Sequence, residues 1–290
     1  MSCINLTGVL DVEKVKVKIK RNTVQETVMP QLYAKCCAMK KWPGLFFDND
    51  CRRIKSMIDY DFSRLALGFS PFAVEMGALS AACRQFAFAE EIRGYLKGRP
   101  RAKVISLGCG LDTVGRQADN GICGFINIDF PDVIELREKV INRNERERDI
   151  SADVRAGSWF DDIAYDKNEG AVFIASGMFL YWDRSDVKRF LRDMSERFEG
   201  ARLVFDAQNK KGAVSAQRAL LKAGIHAKVK FYLDSPEKEL KEWDMRYKKI
   251  SCKKMVSDYR KLDKRFSFAA RSIVWISEKN NMAQMNVIDF

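Results

Sequence analysis

Histidine is almost missing from this sequence: His226 is the only one in 290 residues. It stands apart from every motif described below, so chemistry that moves protons through an imidazole has one poorly placed candidate. The eight cysteines are scattered, with Cys36 and Cys37 adjacent, and none forms the C-x-x-C spacing of zinc sites or dithiol oxidoreductases. They read as reduced, mostly buried thiols, and no metal is expected. No run approaches the ~18 apolar residues needed to span a bilayer, which argues against a membrane partner. The longest uncharged apolar stretch, GAVFIASGMFLYW, has the length of a buried strand and its exit loop. The opening MSCINLTGVLDVEKVKVKIK lacks a basic segment followed by a long apolar one, so it does not read as a secretory signal, and a cytoplasmic location is expected. Internal repeats and low-complexity linkers are absent as well.

What is present is core and positive charge. Hydrophobic residues make up 47% of the chain, enough for a real core, and the formal net charge is +12. That charge permits nucleic-acid binding or attraction of an acidic small molecule. The basic residues are interspersed with acidic ones, as in REKVINRNERERD and SPEKELKEWDMRYKK, which is the pattern of solvated helix faces and argues against nucleic acid as the partner.

Period-3.6 apolar patterns from about Thr23 to Lys97 predict a helical N-terminal layer, in LYAKCCAM, CRRIKSMI and FAFAEEIRGYL. The period then changes. KVISLG, GFINID, AVFIAS and ARLVFDA read as strands, separated by a turn with Asp112 as helix cap, by the helix PDVIELREKVINRNERE, and by DRSDVKRFLRDMSERF opened by Asp183. Strands alternating with helices predict a doubly wound, Rossmann-like α/β sheet, mostly parallel. Further on, QNKKGAVSAQRALLKAG reads as a helix, HAKVKFYL as strand-like, SPEKELKEW as a short helix capped by Ser235, and RSIVWISEK as the last strand. One domain is expected over 1–290: a helical layer to about 100, a Rossmann-like core from about 101, and a helical and strand-like insertion over the substrate near 208–250.

In an open parallel sheet, ligands sit beyond the carboxyl ends of the strands where the strand order reverses. The stretch VISLGCGLDT places Gly108 and Gly110 at the first such turn, where the missing Cβ lets backbone and ligand approach. About 20 residues on, Asp129 ends the next strand, where a carboxylate can accept both hydroxyls of a ribose. A dinucleotide site wants a third glycine, but Thr113 holds that position. Asp112 beside it would repel a pyrophosphate, and a cofactor with a sulfonium and an amino group but no phosphate, S-adenosylmethionine, suits the turn better than NAD. The residues alone also fit an ordinary strand, turn and helix. Asp153 and Val154 in ISADVRAGSWFDDI could meet an adenine edge and face; taken singly, Asp153 reads as a loop residue.

The order of VISLGCGLDT, INIDFPDVIELR, ISADVRAGSWFDDI, AVFIASGMFLYW and ARLVFDAQNKKG resembles the leucine carboxyl methyltransferase and TcmP-like polyketide O-methyltransferase family, and TVMPQLYAKCCAMKKWPGLFFDND resembles its helical entry segment. The resemblance runs from Thr23 to about Asp206, and more loosely beyond. It implies a class I S-adenosylmethionine-dependent methyltransferase fold and assigns cofactor roles to Gly108, Asp129, Asp153 and Val154. It likewise gives Arg84 the cofactor carboxylate, gives Lys35 a cofactor contact, and makes Tyr181 the tyrosine after the fourth motif, a candidate acceptor contact. Without it, Arg84 and Lys35 would read as surface ion pairs. Three positions depart from the family: Ser176 stands where many members have Glu, Asn127 where an acidic residue often precedes the ribose aspartate, and Val114 where an arginine usually follows the turn.

Methyl transfer is an in-line displacement, so the protein has chiefly to align donor and acceptor and exclude water. A carboxylate acceptor, with a reference pKa near ~4, needs no base, whereas a phenol near ~10 would want one. The expectation is an O-methyltransferase acting on a carboxyl or hydroxyl oxygen of a small molecule. The alternatives are a methyltransferase for a protein C-terminal carboxylate, a dehydrogenase, and a non-catalytic protein that binds nucleic acid.

Overall fold

A computed structural model describes residues 16–20, 23–43, 46–63, 65, 69–243, 246–255 and 266–290. Cys3 and most of the N-terminal stretch read above lie outside the described residues. Among the described residues, four helices build the N-terminal layer: α1 (Val24–Thr27), α2 (Met29–Lys41), α3 (Asn49–Met57) and the long α4 (Pro71–Gly98), with a small parallel pair formed by β1 (Val17–Lys18) and β2 (Ile58–Asp59). The start of α4 is set by its sequence: Ser70 accepts a hydrogen bond from the Ala73 N–H at 3.2 Å, and Pro71 takes the first helical position, where its missing N–H costs nothing. Alanine-rich turns then bury Ala78, Ala82, Phe88, Ile92 and Leu96.

The sheet strands are β3 (Lys103–Leu107), β4 (Gly124–Asp129), β5 (Glu147–Ser151), β6 (Ala171–Ala175), β7 (Arg202–Gln208), β8 (Lys249–Lys254) and β9 (Ala283–Asp289). They lie in the order β5-β4-β3-β6-β7-β9-β8, with β9 antiparallel to both its neighbours and the other adjacent pairs parallel. β6, Ala-Val-Phe-Ile-Ala, is buried at every position, as a central strand covered on both faces must be. The crossover helices include α5 (Val114–Gln117), α6 (Pro131–Val140), α7 (Arg184–Arg197), α8 (Lys210–Lys222), α9 (Pro236–Lys241) and α10 (Phe268–Lys279). The chain winds outward from β3 in one direction to β4 and β5, and in the other from β6 to β7. The crevice at the carboxyl ends of β3 and β6 is therefore the switch point of the sheet. Among the described residues, no helix is long and apolar enough to cross a membrane.

The α/β expectation is met, and three local readings are corrected. RSIVWISEK is not a strand but part of α10. The Ser267 side chain accepts from the Ala270 N–H at 3.1 Å, and Ala270 and Val274, one turn apart, pack into the N-terminal layer while Trp275 and Ile276 face out. A helix cap and an i, i+4 contact override the strand preference of Ile, Val and Trp. The true last strand is AQMNVID of β9, whose residues 285–288 are buried. HAKVKFYL is not a strand either. It is an irregular segment that buries Phe231 and Leu233 and bonds through its main chain to Leu180 and Gln208, and His226 lies exposed within it. The strand in this region is β8, KISCKK, an outer edge whose lysines suit solvent. Finally, the helix beginning at Pro131 ends at Val140, well short of Glu147, which already belongs to β5.

Candidate functional site

The loop after β3 turns through two left-handed glycines, Gly108 at φ +57° and Gly110 at φ +50°. A Cβ on Gly108 would come within 2.9 Å of the Met178 sulfur, and one on Gly110 within 2.9 Å of a Val28 methyl, so both positions are sterically reserved for glycine. Asp129, at the end of β4, fastens the turn. Its Oδ2 accepts from the Gly110 N–H at 2.7 Å and its Oδ1 from its neighbour Phe130 N–H at 2.8 Å. The carboxyl is buried, and burial pushes its pKa up to about 6 despite the two amides and the nearby Arg137 that oppose the shift.

Asp112 does not cap α5 from the N-cap position, which Thr113 occupies, yet its Oδ1 does accept from the Val114 N–H at 2.8 Å. It also receives the Lys35 ammonium at 2.8 Å. Burial would raise this carboxyl, but the charge and hydrogen bond of Lys35, with the Val114 amide and the more distant Arg84, hold it below the ordinary value. The pairing corrects one expectation: Asp112 is neutralised and is no bare charge facing a pyrophosphate. What disfavours a dinucleotide here is α5 itself, a single four-residue turn with little dipole at its start. Lys35 is itself buried, lies 3.9 Å from Asp48 as well, and braces the glycine turn from behind.

Across the crevice, Ser176 and Gly177 form the exit of β6, and the Gly177 N–H, at φ +67°, donates to Asp206 Oδ1 at 2.5 Å. Asp206 Oδ2 holds the Arg84 guanidinium at 3.3 Å. Arg84, carried by α4, lies directly over Gly177: a Cβ there would sit 2.9 Å from its Nη1. Tyr181 follows one short turn later, half-buried, and burial raises its phenol above the ordinary value, with Arg84 opposing. Gly108, Gly110, Asp129, Lys35, Arg84, Ser176 and Tyr181 thus all lie around the carboxyl ends of β3, β4 and β6. Asp153 and Val154 follow β5, farther along the same edge. Val154 is buried, while the Asp153 carboxylate binds the Arg155 side chain at 2.8 Å and its N–H at 3.0 Å. Neither Asp129 nor Arg84 is saturated: a carboxylate has about four acceptor sites and a guanidinium five donors, so each retains capacity for a ligand.

Two residues escaped the sequence reading. Arg137, on α6, is fully buried and donates to the main-chain carbonyls of Gly110 at 3.1 Å and Asp112 at 2.7 Å, clamping the glycine turn from below. Its charge is met by Glu147 at 3.1 Å and Asp149 at 3.5 Å on β5, and Asn127 joins that pair by donating to each carboxylate at 2.8 Å. Asn127 therefore supports the turn through this network. A signal existed, since Val133, Arg137 and Val140 share one helical stripe and a charge on an apolar face calls for a buried partner. Asp206 was equally visible as the polar residue closing an apolar parallel strand.

Residues 71–195 match the leucine carboxyl methyltransferase family. The chain is 28% identical over 191 residues to the tetracenomycin polyketide synthesis O-methyltransferase TcmP of Streptomyces glaucescens, a match covering 65% of this chain and 67% of that one. The fold is similar to a candidate methyltransferase of Thermobifida fusca, 14% identical over 96% of each chain with a TM-score of 0.56. It is similar also to a DUF574 family protein of Streptomyces avermitilis, 10% identical over 90% of this chain and 96% of that one with a TM-score of 0.57. In sequence the chain is thus similar to the leucine carboxyl methyltransferase family over residues 71–195 and to TcmP over 191 residues.

Proposed function

We propose that the protein is an S-adenosylmethionine-dependent O-methyltransferase that transfers a methyl group to a carboxyl or hydroxyl oxygen of a small molecule. The observation that carries this reading is Asp129. It is a buried carboxylate at the end of β4, fixed by two main-chain amides against a left-handed glycine turn, with acceptor capacity to spare for a vicinal diol. The residues fit this cofactor. The diol falls to Asp129, close backbone approach to Gly108 and Gly110, and the adenine to Val154 with the Asp153 loop. The amino-acid end falls to Arg84, whose planar fork suits a carboxylate, with Lys35 bracing the turn through Asp112 and Ser176 lining the crevice.

When bound, the cofactor supplies an activated methyl group on a sulfonium. The chain's own part is alignment and exclusion of water. Arg84 arrives already oriented by Asp206, so little rotamer freedom remains to be lost on binding. Tyr181 stays protonated at neutral pH and serves as a hydrogen-bond donor to the acceptor, not as a base. An acceptor that is ionised in water, a carboxylate or an acidic phenol, needs no general base and fits best. The name of the Streptomyces relative favours a polyketide-like acceptor, and the segment near 208–250 is the expected wall of its pocket. The reading places the protein in the cytoplasm.

The test is calorimetric titration with S-adenosylhomocysteine, followed by methyl-transfer assays on aromatic carboxylic acids and phenols. Micromolar binding and methyl ester or ether formation are expected. Absence of binding to the native chain would overturn the proposal.

A further inference from the structure

Outside the methyltransferase crevice, on the outer face of the N-terminal layer, Cys36 of α2 and Cys51 of α3 bring their sulfurs to 3.3 Å. Cys51 is buried, but Cys36 opens onto a cavity of about 680 Å³. The described lining of that cavity is basic: Lys16, Lys40, Arg52 and Lys55 against one carboxylate, Asp61. The hydrogen bond from Cys51 holds the Cys36 thiol below its ordinary pKa, aided by Lys55 and Arg52 against burial and Asp48, while the same contact and burial push Cys51 up. One accessible thiol with its pKa lowered, a second thiol behind it and a cationic mouth form the layout of a reactive cysteine with its resolving partner.

We propose that Cys36 and Cys51 are a redox-active dithiol site that is oxidised by carboxylate-bearing, low-molecular-weight disulfides held in this basic cavity. The Cys36 thiolate attacks one sulfur of the disulfide, forming a mixed disulfide and releasing the first small thiolate, which takes up a proton from water. Cys51 then loses its proton to solvent and attacks the Cys36 sulfur, closing the Cys36–Cys51 bond and releasing the second small thiolate. Two protein thiols are oxidised and one small disulfide is reduced to two thiols. The bond ties α2, which carries Lys35, to α3, which is capped by its neighbour Asp48. The proposal does not depend on the methyl-transfer reading.

The experiment exposes the full-length, reduced chain to glutathione disulfide, which is net anionic, to the neutral 2-hydroxyethyl disulfide and to the cationic cystamine, with products mapped by peptide mass spectrometry. Each rate is normalised to that of an unstructured cysteine peptide. The native chain is expected to form the Cys36–Cys51 bond, Cys51→Ser to stop at a glutathione adduct on Cys36, and Cys36→Ser to form neither. Glutathione disulfide should react about tenfold faster than the neutral reagent at low salt, a preference lost in high salt and in Arg52→Ala/Lys55→Ala. The cross-linked chain should melt several degrees higher. No Cys36–Cys51 peptide in the native chain, or equal normalised rates for the three reagents, would overturn the proposal.

Discussion

The two turns that face each other across the crevice are supported in opposite ways. Beneath the glycine turn of β3 lies charge: Arg137 donates to two loop carbonyls and is itself enclosed by Glu147, Asp149 and Asn127, all buried. Beneath the Ser176–Trp182 turn of β6 lie rings. Phe179 packs on Trp182, Phe190, Phe205 and Phe231, and Trp159 packs on Phe160, Phe173 and Phe198. The first turn has to present carbonyls and amides at fixed angles, so it needs directional donors below it. The second has to hold a wall in place, and close packing does that without direction. The first is therefore expected to fail abruptly when one charge is removed, the second gradually as volume is lost.

The largest effect should come from Arg137→Met, which leaves Glu147 with Arg116 alone, Asp149 with only Arg143 at 3.9 Å, and two carbonyls without a donor. A loss of about 3–5 kcal/mol is expected in urea unfolding. The matching change among the rings, Phe205→Leu, keeps most of the volume and should cost about 1–1.5 kcal/mol. Equal losses would break the contrast. Next in size, Asp129→Asn should weaken S-adenosylhomocysteine binding by about 10- to 100-fold in calorimetry, the worth of charge-assisted hydrogen bonds, with a smaller change in melting temperature. Arg84→Ala should raise the KM for S-adenosylmethionine about tenfold with kcat less affected, and Asp206→Asn, which only frees Arg84, should raise it less. A larger effect from Asp206→Asn than from Arg84→Ala would give Asp206 a direct role. Smallest of all, Ser176→Ala should change kcat/KM by no more than about threefold, as expected for loss of one neutral hydrogen bond on a half-buried group.

The same contrast explains what the sequence made legible. The strands β3, β4, β6 and β7 are short apolar runs ended by glycine or aspartate, and their periodicity alone predicted the parallel sheet and the switch-point crevice. Gly108, Gly110 and Asp129 were readable because a left-handed turn and a terminal carboxylate leave local marks. Arg137 was marked locally only as a charge on an apolar stripe, and its role stayed hidden because its partners on β5 are paired with it by no local pattern. Lys35 was placed near the cofactor, but its partner Asp112 lies 77 residues away, so the neutral pair could not be read. In the late half, Val, Ile and Trp in RSIVWISEK favoured a strand. The burial of Ala270 and Val274 against α4 decided for a helix, and that is a tertiary fact.

The reading of Asp129 makes a pH dependence its sharpest consequence. The free protein holds this carboxyl at a pKa of about 6, above the 3.8 of an unburied aspartate, so its ionised form costs stability in full above pH 6, and that cost is relieved progressively as pH falls from 6 to 3.8. A ribose diol donates hydrogen bonds to the ionised form, so cofactor affinity should run the other way, present above pH 6 and lost below it. Titration with S-adenosylhomocysteine between pH 5 and 8 should show a constant affinity above about 6.5 and a loss approaching tenfold per unit below 6, while Asp129→Asn binds weakly with no such break. A native affinity that is flat across this range, or an Asp129→Asn variant that binds like the native chain, would contradict the assignment of Asp129 to the cofactor.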